Sequence, residues 1–550
     1  MNYGFNMKHN YLINDLESNA RFEFNLYRNK VLLSGDSSAV EKFYKEDYAK
    51  FSALDKYGRS ARYNSFWFNV QPHNARVFFG IIPMINETFV NLITSGGVQA
   101  KVKVKGKKYA EGQEEDEEQS ERLDGILQAN DFYDKKWGLA ESYQSGLGYA
   151  PFKISIDEGL LDTPILEVIR PERTEVIKER GIIQGYKFKS RKRVGDDDFE
   201  IQEIVMKDGN GPIIQYRVLA IDGEEPRQIN IANLTDGMLE ALGISFLKVK
   251  DGEEVGIQTT FYEFSELSDL PVVLKNNTAH NRMFPTSPFG VADTQGLETI
   301  EDALSELLSS MVEEVRKGRI KVLISEDLVP TNAEGGKMQF NDFRMDYEIM
   351  SGDSAEGGSK IEVVQGKINS EKYLSGIASL ISYACNLVSL HPITVGITGV
   401  ESIDASQESQ MEREKVSMRT REKKMKSWRE TLESLFNLLL QTQDIMDGKT
   451  PEEYEIALEF GNFTNPSKEN IVDILSKAVE GSVISMRTAQ DQYHGEDLTD
   501  EEKEVAYVAT LIEKGIALTP AQRFFYEEKS KELYGVSDEE LITTKPSEGE

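Results

Sequence analysis

Five histidines (His9, His73, His280, His391, His494) and one cysteine, Cys385, are the residues from which a metal site or a nucleophilic centre would be built. The histidines lack partner spacing, and a lone cysteine cannot supply the thiolate pair of a zinc site. Gly448-Lys449-Thr450 imitates the end of a phosphate-binding loop, but Gln443 stands where that motif has its first glycine, and a helical pattern precedes it. Gly352-Asp353-Ser354-Ala355-Glu356 has the wrong spacing for a nucleophile elbow. Paired carboxylates carry no meaning among 94 acidic residues, and the block Glu114-Glu115-Asp116-Glu117-Glu118 reads as a solvated loop. Cys385 falls on the apolar side of a helical pattern and reads as a buried structural thiol. The expectation is therefore no catalytic residue, no metal and no cofactor, in a protein that is not an enzyme.

The remaining chemistry is charge. The chain has a formal net charge of -31 and a pI near 4.8, so its whole surface cannot coat nucleic acid. A local contact is not excluded, and an acidic lining would keep passing DNA from sticking. Between Met411 and Arg429 the sign reverses: Arg413, Lys415, Arg419, Arg421, Lys423, Lys424, Lys426 and Arg429 face only Glu412, Glu414 and Glu422. These bases either touch DNA or pair with acids elsewhere, within or between subunits. A second group, Lys187, Lys189, Arg191, Lys192 and Arg193, alternates along a strand-like stretch and reads as a solvated face or as a phosphate contact.

Three helical patterns organise the elements that carry these residues. The first runs from Asp293, a candidate N-cap, to Lys317, about 37 Å at 1.5 Å per residue. Its apolar stripe is Leu297, Ile300, Leu304, Leu307, Leu308, Met311 and Val315, with acids early and Arg316, Lys317 and Arg319 late, as the helix dipole favours. The second starts near Ser370 with Tyr373, Leu374, Ile377, Leu380, Ile381, Ala384, Leu387 and Val388, and stops at His391-Pro392. Between them, short apolar runs broken by Gly335-Gly336 and Gly357-Gly358 predict an insert of strands and loops. The third pattern spans Gln407 to Met446, with Met411, Met418, Met425, Leu432 and Leu439 at heptad spacing. It follows a glycine-bearing stretch, Ile393-Thr394-Val395-Gly396-Ile397-Thr398-Gly399-Val400-Glu401-Ser402.

Elsewhere the pattern predicts a helix before a turn at Ser34-Gly35-Asp36, a strand over 98–104, a helix over 123–147 and a β-rich region from 148 to about 278. A strand at 454–460 is followed by helices at 466–480, 485–493, 500–514 and 520–533, then a polar tail. At 550 residues the chain needs several cores, and the class is α+β. The longest apolar run, Val77 to Ile85, is too short for a membrane span, and Met1 to Asn6 shows no secretory leader. One cysteine suits a reducing compartment.

A helix opened by Pro288-Phe289-Gly290-Val291-Ala292-Asp293, a strand-and-loop insert, a return helix, a glycine-bearing loop and a long basic helix together resemble the portal proteins of tailed double-stranded DNA bacteriophages. Gly35-Asp36 with Phe43-Tyr44, and Glu480-Gly481-Ser482-Val483-Ile484-Ser485-Met486-Arg487-Thr488-Ala489, extend the resemblance to about residues 30–515. It implies a portal fold with a mixed α/β wing (1–287 and 408–465), a helical stem (288–319 and 370–390), a strand-containing clip (320–369), a tunnel loop (391–407), a helical crown (466–535) and a disordered tail (536–550). In a ring of about twelve such subunits the stem stripes Leu304, Leu308, Met311, Ile377, Leu380 and Ile381 pack between neighbours. Residues 393–402 would project toward DNA, with Gly396 and Gly399 allowing flexure. Arg316, Lys317, Arg319 and Lys321 would meet phosphates without reading sequence, or complement the dipole and a neighbouring subunit. The implied partners are the protein itself, double-stranded DNA, the terminase large subunit, the major capsid protein and scaffold, and head-completion or tail adaptors, with no membrane. The implied location is the virion vertex, after assembly in the host bacterial cytoplasm. The competing reading is an acidic cytoplasmic scaffold or adaptor held by a coiled coil of the heptad helix.

Overall fold

The computed structural model describes residues 11–47, 65–69, 76–103, 116–157, 160–180, 182–208, 211–221, 226–229, 234–242, 260–261, 264, 266–277, 287–317, 321–325, 347–350, 361–364, 369–396, 407–461, 475–477, 479, 485–494, 500–513, 518–520, 522–526 and 529. They fall into two compact units, 1–461 and 462–550. In the first, α1 (Tyr11–Leu33), α2 (Ser37–Lys42), α3 (Phe66–Asn69) and α4 (Ile81–Thr94) lead to β1 (Val98–Lys103), α5 (Glu117–Ala129) and α6 (Trp137–Leu147). The β-rich stretch holds β2 (Tyr149–Ser155), β3 (Ile165–Val168), β4 (Thr174–Glu179), β5 (Ile182–Val194), β6 (Asp197–Asp208), β7 (Gly211–Ala220), β8 (Arg227–Ile229), α7 (Asp236–Leu242), β9 (Thr260–Phe261) and β10 (Val272–Asn276). Then come α8 (Glu298–Lys317), β11 (Lys321–Ser325), β12 (Tyr347–Met350), β13 (Ile361–Val364), α9 (Ser370–Leu387), α10 (Gln407–Met446) and β14 (Glu455–Phe460). The second unit contains α11 (Met486–His494) and α12 (Asp500–Glu513), joined by an Arg487–Glu504 ion pair of 2.8 Å over buried Ala489, Val505 and Val508.

The main core gathers elements remote in sequence. Ile93, Leu123, Phe132, Trp137, Phe152, Trp428, Leu432, Phe436 and Leu439 share one cluster, closed by β1 pairing antiparallel with β14 from Val98↔Phe460 to Lys103↔Glu455. The heptad residues Met425, Leu432 and Leu439, with Trp428 and Leu435, are thus buried inside the chain itself. This removes the seam on which a coiled-coil adaptor would depend. Gly448, at φ 70, ends α10: its N–H bonds the Ile445 carbonyl (3.0 Å) and the Lys449 N–H bonds that of Asp444 (2.8 Å), a left-handed C-cap rather than a phosphate loop.

The six-stranded sheet runs β4-β5-β6-β7-β8, with β9 on β7. Register places Tyr186, Phe188, Ile201, Val205, Ile214 and Val218 on one face, as a period of two requires. Of the five bases Lys192 stands opposite Phe199 on this first face, while Lys187, Lys189, Arg191 and Arg193 lie on the other. There Lys187 and Lys189 both pair with Glu175, Arg191 with Glu200 (3.6 Å) and Arg193 with Asp198 (3.8 Å), cross-strand partners on a solvated face.

Three expectations need correction. The helix expected from Asp293 begins at Glu298, because Gly296 adopts φ 94, which no right-handed helix contains; at 20 residues it spans about 30 Å. The helix expected over 123–147 is two, because Asp131 takes φ 50 and the buried Asn130 turns its amide to Ile126 and Pro164 carbonyls and to the Leu166 N–H. The acid block is not wholly a loop: Asp116 caps α5 by accepting from the Gln119 N–H (3.2 Å), and Glu117 and Glu118 sit in the first turn, where the dipole favours them. Residues 104–115 lie outside the described residues, as do the expected tail 536–550 and most of the helix expected at 466–480.

Candidate functional site

The candidate functional region is where the α8–α9 pair meets the core. The Pro288–Asp293 motif is explained here residue by residue. Phe289 stacks on Tyr149 with centroids 4.0 Å apart and on Phe22 at 5.4 Å. Gly290 passes against β2's approach so closely that a Cβ would stand 2.5 Å from the Gly148 carbonyl oxygen and 2.7 Å from the Asn277 nitrogen, so only glycine fits. Asn276 and Asn277 bind this segment's backbone at Pro288, Gly290 and Val291.

Asp293 supplies the last attachment. Its carboxylate accepts from Lys424 Nζ at 2.6 Å, and the same ammonium reaches Asn277 Oδ1 (3.2 Å) and Glu141 Oε1 (3.4 Å) and lies 4.6 Å over the Phe89 ring. Trp428 Nε1 donates to Glu141 Oε2 at 2.6 Å. Lys424 is 1% exposed and Glu141 fully buried. Burial alone would lower Lys424, but Asp293 and Glu141 hold it above the ordinary lysine value. Burial drives Glu141 upward against Lys424 and Trp428. Both directions agree when Asp293, the nearer carboxylate, is the principal counter-ion. Beside them Lys275, bonded to Ser427 and 4.9 Å over Trp428, is pushed down to about 8, chiefly by burial.

Along α8, a second attachment runs. Ser309 Oγ accepts from the Val77 N–H (3.0 Å), Ser305 Oγ from Phe79 (3.1 Å), and Glu301 from Gly80 (2.8 Å) and Ile82 (3.1 Å). Four helical residues rise about 6.0 Å and two extended residues about 6.6 Å, so the rungs at 301, 305 and 309 keep step with the segment 77–80. Gly80, at φ 84, is the N-cap of α4 and has no side chain, so Glu301 caps that helix from outside. Next to it, Asp302 accepts from the Phe66 N–H and the Ser65 hydroxyl; burial outweighs these bonds and raises its carboxyl to about 6. Burial likewise raises Glu301.

At the far end of α9, Ser389 at φ 56 turns the chain, and Pro392–Val395 forms a 3-10 turn ended by Gly396 at φ 82. Ser417 of α10 holds this turn twice, accepting from the His391 N–H (3.0 Å) and bonding Thr394 Oγ1 (2.8 Å), while Thr420 donates to the Ser389 carbonyl (2.8 Å). Thus Ile393, Thr394, Val395 and Gly396, expected as the start of a flexible loop, form a fixed root with Val395 buried. Ile397, Thr398, Gly399, Val400, Glu401 and Ser402 lie outside the described residues, as does Arg319.

Of the other charged candidates, Arg316 is exposed at the end of α8, where Lys317 is the last residue, and Lys321 opens β11. The insert strands form a sheet ordered β12-β11-β13, parallel then antiparallel. On α10, Arg413 lies in the first turns, Lys415, Arg419, Lys423 and Lys426 are exposed, and Arg421 donates to the Leu92 and Gly461 carbonyls at 2.9 and 2.7 Å. Leu304, Ile377 and Ile381 are buried within the chain, whereas Leu308, Met311 and Leu380 remain half-buried. Cys385 is buried and its thiol pushed up to about 11 by burial, which makes it a poor nucleophile.

Sequence reasoning missed Glu141, Asn277, Glu301, Ser305, Ser309 and Ser417. The one legible signal was serine at 305 and 309, four apart on an otherwise apolar face. Residues 243–513 match the family model for phage portal proteins of the SPP1 Gp6-like type. No curated protein matches the chain.

Proposed function

We propose that the chain is a phage portal protein, the family whose model its residues 243–513 match, and that it closes into a ring of about twelve subunits at one capsid vertex, with double-stranded DNA passing through the central channel in packaging and ejection. The observation that carries the reading is the order α8, three-stranded insert, α9, loop root, α10, all inside the matched segment. In this reading α8 and α9 are the stem, the β11–β13 sheet is the clip, residues 393–402 are the tunnel loop, the core with its long sheet is the wing, and 466–535 is the crown.

The half-buried Leu308, Met311 and Leu380 are available to a neighbouring stem, as a heterologous interface needs. Arg316, Lys317, Arg319 and Lys321, at the clip end of the stem, meet DNA as screened, sequence-blind contacts. The clip docks the terminase large subunit and then head-completion or tail adaptors; major capsid protein and scaffold contact the ring at the vertex. The protein supplies structure and a channel rather than catalysis, and the packaging ATPase is a separate chain. Native mass spectrometry with negative-stain imaging tests this: a closed ring with a central hole is expected, and a compact dimer or trimer would refute it.

A further inference from the structure

We propose that the basic stripe of α10 is one half of the contact between neighbouring subunits, and that its partner is the acidic end of α5 on a second copy of this chain. The proposal rests on the ring reading and names the residues that close it.

Arg419, Lys423 and Lys426 are exposed and, among the described residues, have no hydrogen-bond or ion-pair partner. At 100° per residue they fall within about 60° of arc, one stripe on one face. The other bases of the segment are used differently: Lys424 is buried on Asp293, Arg421 holds two carbonyls, and Arg429 lies 5.5 Å over the Phe460 ring. Three free cations in a chain of net charge -31 are complementary to most of its own surface.

The acidic surface is the opposite case. Glu117, Glu118 and Glu121, in the first turns of α5, are exposed and without partners among the described residues, as is Glu453. On its other side α5 contributes Asp116, Gln119 and Arg122 to an open cavity of about 520 Å³ that Asp444, Glu452 and Glu453 also line. The cavity's own cations are already committed: Arg122 binds Asp444 and Asp447 at 2.8 Å each, Lys103 binds Glu455 at 2.8 Å and Lys449 reaches Asp447 at 3.5 Å.

Geometry decides whether the two surfaces serve one another in one subunit. Lys423 and Asp444 belong to the same helix, and Asp444 is where Arg122 of α5 attaches, so the stripe and that attachment lie about 32 Å apart at 1.5 Å per residue. That is several screening lengths of about 8 Å at physiological salt, so they cannot neutralise each other internally. Two complementary patches held that far apart on one chain make a head-to-tail contact, which closes into a ring when the rotation permits. Glu422 and Glu430 flank the stripe on the same helix face, which weakens it for phosphate and suits it to a mixed protein surface.

The test is charge reversal in the full chain, read by native mass spectrometry and sedimentation, with circular dichroism to confirm folding. R419E/K423E/K426E should raise the protein concentration needed for ring assembly at least about tenfold, and E117K/E118K/E121K should do the same. Combining both sets should return it to within about threefold of wild type. Failure of the combined variant to recover overturns the assigned partner face. Reversed stripes that assemble normally but retain less DNA in the ring overturn the proposal in favour of a DNA contact. Wild-type protein that forms no closed oligomer refutes the ring reading itself, a result distinct from wild-type rings that tolerate both reversals.

Discussion

Replacing Lys424 by methionine isolates the buried ionic node. Methionine keeps most of the aliphatic volume, so little packing is lost. What disappears is the only cation within 3.4 Å of both Glu141 and Asp293 among the described residues, leaving two carboxylates in a site where Glu141 is wholly buried. Breaking a buried pair by removing one partner costs about 3–5 kcal/mol. Part of this is relieved by protonation of Glu141, whose carboxyl burial raises above its unfolded value; such a group stabilises the fold at low pH and loses that contribution as pH rises. The deficit should therefore be larger at pH 7.5 than at pH 5. Urea unfolding followed by tryptophan fluorescence reports it, since Trp428 donates to Glu141. Hydrogen exchange over 288–300 and 137–147 should rise with it, because Asp293 and Glu141 lose their common tie. Adding Glu141→Gln and Asp293→Asn should recover most of the loss. A cost below about 1 kcal/mol, or one that does not change with pH, would refute the assignment of Lys424 as the charged centre of this node.

Asp302→Asn tests the second attachment of α8. Because Asp302 is raised to about 6 from an ordinary 3.8, its contribution is complete below about 4 and is lost as pH climbs to about 6; the wild-type-minus-variant stability should fall over that window and be flat above it, as pH-dependent urea midpoints will show. Ser417→Ala leaves the His391 N–H without its partner, costing about 1–3 kcal/mol locally, and should speed hydrogen exchange at 391–396 while leaving 300–310 unchanged. Gly290→Ala forces a Cβ to 2.5 Å from the Gly148 carbonyl and should cost at least about 1–3 kcal/mol; a thermal midpoint equal to wild type would contradict the close approach.

The long helix shows how much local pattern can decide. Its heptad of apolar residues and absence of proline or glycine set the bounds at Gln407 and Met446, and the same periodicity set α9 and the return strand β14. The sequence also determined that Cys385 would be buried and that the Gly448 segment lacks a phosphate-loop context, because both follow from near neighbours. Periodicity could not say what the heptad packs against. A stripe looks the same whether a second chain or Phe132 and Trp137 cover it, and only the fold brought those aromatics to it.

The same limit explains the missed site residues. Asp293 reads as an N-cap from its neighbours alone, yet Gly296 turns the backbone left-handed and Asp293 pairs instead with a lysine 131 residues away. Glu301, Ser305 and Ser309 read as polar interruptions of an apolar face until the segment 77–80 is laid along them. Sequence alone determined which stretches would be helix or strand and where charge would concentrate, because propensity, periodicity and capping act within a few residues. Tertiary structure alone decided which charges are buried, which are bonded and which stay free, because that depends on desolvation and on partners joined only when distant segments fold together.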